Sequence, residues 1–593
     1  MKRKFWITAI LIVFTILSNI THAQESAIEM VFVKADKTAP SDSATLIEIN
    51  PETIMRSNTL AEILRDIPGI EVVQQGGIGQ TTSVFIRGAK SEGTLVLIDG
   101  TEANDAMSPG GGFDFSSMTA DNIERIEIYR GPQSVRFGAG ALGGVINIIT
   151  KEGRSTPAYT YLGEMGSYFT HREAISASGK VDTIGYSLSG GYFATKGFSA
   201  ASEHSGNRED DGAKISTGSM KLSWTPRPTT KIETSLRYAE STVDIDYQGG
   251  TKGDDPNNST HSKQLLTGVT ATEHFFAERL KTSLSFYFSE TTRRDRNEPD
   301  TTHPTQSSYY FLSENRKIQS ETEWFLNELH SLRLILNYRD ENGISDSLSR
   351  KSQSMTGESL TYLFESSTWF FDLGARIDQS SQIGAIASQK VSLGRFLSGP
   401  RSKVLISYGS GYKLPSLFQL YSIYGDINLQ QENSTALEAM WEQNIYTNAD
   451  VQLTMFDSKF HNLIDYDMAT SHYLNISQAR SQGFEFQVAW QPMPSLKLSG
   501  TYTYLESKDE STGLPLLRRP RDTWFTSISW SATRYEVYAQ YSYRGQREDV
   551  DPSSFQRVQM DPFSLTALGG AYQFEKWLKA HARIENLFDT RYE

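Results

Sequence analysis

The sequence predicts an all-β transmembrane barrel of about 22 antiparallel strands, with a small N-terminal α/β domain seated in its lumen. Three observations carry this. A 593-residue chain without cysteine opens on an apolar leader. Residues 25–152 mix one helical pattern with short strands. From residue 159 onward, amphipathic segments follow one another, separated by Gly, Asp, Asn and Pro clusters. Residues 153–593, at roughly 20 per strand plus loop, make about 22 strands, a size whose lumen needs filling.

The leader sets the compartment. Lys2, Arg3 and Lys4 precede an apolar run from Phe5 to Ile20, and Thr21-His22-Ala23 is a small-x-small cleavage site. The run falls short of the roughly 20 residues of a spanning helix, so residues 1–23 read as an export signal and Gln24 as the mature start. A secreted chain with no apolar helix still enters a membrane by closing a barrel.

Composition agrees. Without cysteine there is neither a disulfide framework nor a thiolate metal site. Hydrophobic residues are 38%, ordinary for a barrel with a polar lumen. The formal charge is −13, and without the three leader bases it is −16, which argues against nucleic acid as a partner.

In residues 37–152, Thr59 and Glu62 have capping-box spacing. Leu60, Ile63, Leu64 and Ile67 follow at helical spacing, and Pro68-Gly69 stops the helix. Strands are expected at 70–73, 83–88, 94–100 and 123–129. Gly138, Gly140, Gly143 and Gly144 allow tight turns and close backbone approach, and Val145-Ile-Asn-Ile-Ile149 reads as a short buried strand.

Beyond residue 159 the period is two. Ile232, Thr234, Leu236 and Tyr238 share one face; Glu233, Ser235 and Arg237 share the other. Leu280, Leu284, Phe286 and Phe288 oppose Lys281, Ser283, Ser285 and Tyr287 in the same way. One face then meets lipid and the other the lumen. A secreted propeller or sandwich is disfavoured by strand length and number.

Read together, several motifs in order resemble the TonB-dependent outer-membrane receptors. They are Asp66-Ile-Pro-Gly69, Phe85-Ile-Arg-Gly88, Val96-Leu-Ile-Asp-Gly100, Ile123-Glu-Arg-Ile126, Arg130-Gly-Pro132, Gly143-Gly-Val-Ile-Asn-Ile-Ile149 and Ile584-Glu-Asn-Leu-Phe-Asp589. Segments 408–421, 424–429, 462–466 and 515–520 are most similar to receptors for vitamin B12. The resemblance implies active import of cobalamin or another cobalt corrinoid across the outer membrane of a Gram-negative bacterium, with ferric-siderophore uptake as the alternative. It also implies a monomer set in outer-membrane lipid and lipopolysaccharide, a periplasmic TonB partner and no covalent cofactor.

Residue roles follow from the same resemblance. Glu29, Met30, Val31, Phe32, Val33, Lys34 and Ala35, within residues 24–36, take the place of a TonB box, a β-prone segment suited to strand addition. Gln80, Thr82, Ser83 and Asn104 match apical loops that face the corrin. Glu209, Asp210, Asp211, Asp244 and Asp246 match calcium-binding loops, and an oxygen-rich set suits Ca2+. The family ends on a further strand after the Ile584–Asp589 motif; the chain stops at Glu593, so a missing last strand is expected. The sequence carries no H-E-x-x-H, G-x-S-x-G or P-loop, and no catalytic residue is assigned; an enzyme is not expected.

Overall fold

The computed structural model describes residues 11–18, 45–49, 54, 56–201, 206–246, 253–300, 304–397, 402–446, 448–551, 554 and 556–592. A closed antiparallel barrel of 22 strands has 21 of them in sequence order from Ala158–Met165 to Leu578–Ile584. Turns of two to six residues join the strands at one rim. The connections at the other rim range from two residues at 346–347 to 18 at 414–431 and 545–562, and six of the ten have nine or more. That asymmetry marks the periplasmic and extracellular sides.

The strands are longer than the ten-residue segments read from the sequence, up to 22 residues in His472–Met493. Alternation behaves as expected. Leu284 and Phe286 are exposed outward, while Ser285 and Ser289 are buried towards the lumen.

The ring is completed by Leu11–Ser18, which pairs antiparallel with both Ala158–Met165 and Leu578–Ile584. This segment lies inside the run read as an export signal. It occupies the seam where the sequence led us to expect a missing last strand.

The lumen domain is built on a five-stranded sheet in the order Thr45–Ile49, Ile123–Arg130, Gly144–Thr150, Thr94–Ile98, Thr101–Glu102. A hairpin, Ile70–Gln74 with Thr82–Ile86, stands beside it. The helix Leu60–Arg65 buries Leu60, Ile63 and Leu64 against Ile126, Ile128, Ile146 and Ile148. Thr59 caps it by accepting from the Glu62 amide at 3.3 Å, but the Glu62 carboxylate reaches one residue further back, to the Asn58 amide at 2.8 Å. Two glycines have steric causes. Gly138 (φ +83°) ends the short helix Ser134–Phe137 beside the Arg376 guanidinium. A Cβ on Gly144 would lie 2.6 Å from the Tyr129 carbonyl, inside contact distance of the paired strand.

Candidate ligand site above the lumen domain

Buried ion pairs hold the inner domain in place. Arg87 and Arg130 of the domain meet Glu438 and Glu485 of the barrel wall. Arg87 donates to Glu485 at 2.7 and 2.9 Å and to Glu438 at 2.8 Å; Arg130 donates to Glu485 at 2.5 Å. Glu102 is likewise enclosed by Asn315, Lys317 and Arg339 at 2.9, 3.3 and 3.0 Å. Four buried charges at one point persist only because each is paired.

Three apical loops of the domain reach the long-loop rim. Residues 75–81 lie against the ends of strands Ala213–Arg227 and Thr230–Asp244. Residues 87–93 are held by Lys90, which donates to the Ile464 carbonyl at 2.7 Å and to Asp465 at 2.5 Å. Residues 103–112 meet the short helix Leu417–Tyr421, where the Phe418 amide donates to the Ala106 carbonyl.

The sequence-derived contact residues shape these loops. Gln80 is buried and donates to the Asp244 carbonyl at 2.6 Å. The Thr82 hydroxyl donates to the Gln80 carbonyl, and its amide to Asp114. Asn104 accepts from the Val96 amide at 2.8 Å and donates to the Thr94 and Gly111 carbonyls, closing its own loop. Ser83 is half-buried opposite Val73.

An aromatic run missed in the sequence borders the same space. Ring centroids of Phe311 and Phe418 lie 6.4 Å apart, Phe418 and Tyr473 6.2 Å, Tyr473 and Tyr466 5.4 Å, and Tyr466 and Tyr424 5.8 Å. Arg293 stacks over Phe311 and Lys351 over Tyr421. Tyr-rich loops flanking the Pro415-Ser-Leu-Phe-Gln419 segment were the available signal, but their convergence depends on the barrel's curvature.

Of the five carboxylates expected to gather, Glu209 and Asp246 do so. The third member is Asp254, which the sequence reading omitted. One carboxylate oxygen from each lies within 4.8 Å of the others. Asp211 stands beside them and accepts from the Ala200 amide at 2.6 Å. Asp246 accepts from the amides of Ala201 and Asp255 at 2.5 and 3.1 Å. Asp210 instead points into solvent, and Asp244, at a strand end, contributes its backbone carbonyl to Gln80. Asn207 ties the loops by accepting from the Gly253 amide. Burial, with the Asp246, Asp254, Asp255 and Asp244 charges, pushes the Glu209 carboxyl up to about 7. Burial pushes Asp211 up to about 8, the Ala200 amide opposing and Asp246 adding. One oxygen each of Glu209 and Asp211 is shielded from solvent without a hydrogen-bond donor. The TonB-box residues Glu29–Ala35 lie outside the described residues.

Comparison with known proteins agrees with this architecture. The family described as "TonB dependent receptor-like, beta-barrel" matches residues 166–587, and the TonB-dependent receptor plug domain matches residues 40–145. The vitamin B12 transporter BtuB of Vibrio cholerae serotype O1 is 27% identical, over 96% of this chain and 94% of its own length. Among solved structures, the copper transporter OprC superposes with a TM-score of 0.80 at 15% identity, covering 92% of this chain and 94% of its own. The ferric enterobactin receptor PfeA of Pseudomonas aeruginosa gives 0.76 at 20% identity, covering 94% and 95%. A plugged 22-strand barrel that both family descriptions match, over most of its length, is an outer-membrane transport protein: the chain belongs to the TonB-dependent receptors.

Proposed function

We propose that this receptor imports cobalamin or a related cobalt corrinoid. The observation that carries the reading is the 27% identity to a vitamin B12 transporter across 96% of the chain. The ligand rests on the apical loops 75–81 and 103–112, which Gln80, Thr82 and Asn104 hold in shape, and against the aromatic run from Phe311 to Tyr424. Ser83 completes the set. Energy comes from the periplasm through residues 29–35, paired by TonB as an added strand.

Calcium fits the acidic loops. Glu209, Asp246 and Asp254, with Asp211 beside them, offer oxygens to a hard cation. Bound there, calcium neutralises their mutual repulsion and ties Glu209 to Asp246 and Asp254.

The test is equilibrium binding of cyanocobalamin to the detergent-solubilised receptor, with calcium and with chelator. Nanomolar binding that weakens on chelation supports both readings. Failure of a folded receptor to bind cyanocobalamin, with binding of a ferric siderophore instead, replaces the corrinoid by the iron complex.

A further inference from the structure

Lysines around the plug donate to side-chain oxygens: Lys90 to Asp465, Lys221 to Asp99, Lys317 to Glu102, Lys390 to Gln133 and Lys413 to Glu432. Lys351, near the extracellular start of strand Leu348–Glu365, departs from this pattern. Register places it on the lumen face. It lies opposite Gly343, where a Cβ would stand 2.3 Å from the Met107 sulfur of the plug. Its ammonium sits 5.2 Å from the centre of the Tyr421 ring. Among the described residues, no carboxylate pairs with it and no acceptor takes a hydrogen bond from it. Its neighbours differ. Arg350, facing outward, meets Glu314 at 3.0 Å, and Arg293, the other cation beside the aromatic run, stands 3.5 Å from Asp295.

The ring beneath Lys351 belongs to the ligand site. Tyr421 and Phe311 pack on the cluster of Ala106, Met107, Leu348 and Leu417, where the apical loop 103–112 meets the wall. A ring face attracts a cation, but the three ammonium N–H groups still call for oxygen acceptors. Where a lysine only braces the plug, the fold supplies that oxygen, as Glu102 and Glu432 do. At Lys351 the acceptor is left to whatever fills the space above the plug. The side chains of cobalamin are amides apart from one phosphodiester, in the nucleotide loop. An ammonium binds phosphate oxygens as a compact point charge.

We propose that Lys351 takes the phosphodiester of the nucleotide loop and so favours the complete vitamin over its corrin core, an inference that rests on the corrinoid reading above. Tyr421 holds the ammonium in place, and the cluster under it keeps the pair partly out of water, where a charged hydrogen bond is stronger.

The test is calorimetric titration of the full-length, detergent-solubilised receptor with cyanocobalamin and with cobinamide, the same corrin without the nucleotide loop and its phosphate. Lys351→Gln is expected to weaken cyanocobalamin by about 10-fold or more and to leave cobinamide unchanged. Lys351→Arg should keep the wild-type ratio of the two affinities. That ratio should also shrink as salt rises in the wild type and not in Lys351→Gln. Equal losses for both ligands, or no loss for either, overturn the proposal while the corrinoid reading stands. A folded wild-type receptor that binds neither ligand overturns the corrinoid reading and this proposal with it.

Discussion

Arg87 and Glu485, 398 positions apart, form a two-pronged contact in which the guanidinium donates at 2.7 Å from Nε and 2.9 Å from Nη2. Glu485 also takes Arg130 on one of the same oxygens, so a single carboxylate of the wall anchors two arginines of the plug. Removing it leaves two buried cations with Glu438 alone. Glu485→Ala is expected to weaken plug seating by about 3–5 kcal/mol. Faster proteolysis of the plug and larger ion conductance in planar bilayers would report this; unchanged conductance and protection would show that the pairs do not hold the plug.

The acidic loops carry a pH signature. Glu209 and Asp211 keep protons to about 7 and 8 in the folded protein, above the ordinary carboxylate range. Between about pH 4 and 8 the folded loops then bind more protons than unfolded ones, so stability falls as pH rises through that window. Without calcium, protease cleavage in residues 196–212 is expected to be faster at pH 8.5 than at pH 5. With calcium the order reverses, because the ion binds ionised carboxylates and releases protons. Equal rates under all four conditions would contradict this account.

Glu209→Gln removes one charge from the trio without changing its size. Calcium affinity should fall, and ligand binding should lose its calcium dependence while the calcium-free affinity is kept. Calorimetric titration distinguishes this from general damage, which would lower the calcium-free affinity as well.

Val31→Pro removes a backbone donor from the expected TonB-pairing segment. Uptake into cells should be abolished while ligand binding to the purified receptor is retained. Wild-type uptake by this variant would exclude residues 29–35 as the coupling strand.

Leu11–Ser18 cannot be both a wall strand and part of a cleaved signal in one mature molecule. Mass spectrometry of receptor extracted from outer membranes is expected to find Gln24 as the first residue. The edges of Ala158–Met165 and Leu578–Ile584 must then be paired by another strand, since an unpaired edge in lipid is costly. An intact Met1 would instead keep Leu11–Ser18 in the wall.

The barrel was legible because lipid and lumen impose one period on every strand; Leu236 and Tyr238 facing away from Arg237 already declare it. The plug helix was legible from Thr59, Leu60 and Leu64, yet the Glu62 bond to Asn58 rather than Thr59 depends on side-chain reach. The acidic trio was half legible. Glu209 and Asp246 sat in stretches of evident charge, but Asp254 lies eight positions beyond Asp246 in a stretch without periodicity. Arg87 stood in an expected strand, 83–88, but nothing local singled out Glu485 or tells which inward carboxylate an arginine nearly 400 residues away will choose.

Thr45–Ile49 is an edge strand, attached to the plug sheet along one side only, and Thr45 lies opposite Arg130. A load applied to residues before Thr45 therefore arrives first at the rung beside the arginine that grips Glu485. Stripping the strand takes five rungs and bares the flank of Ile123–Arg130, while the other sheet pairings and the barrel wall stay intact. The fold thus gives traction from the periplasm a defined first point of failure, beside the strand that carries one of the plug's anchoring arginines.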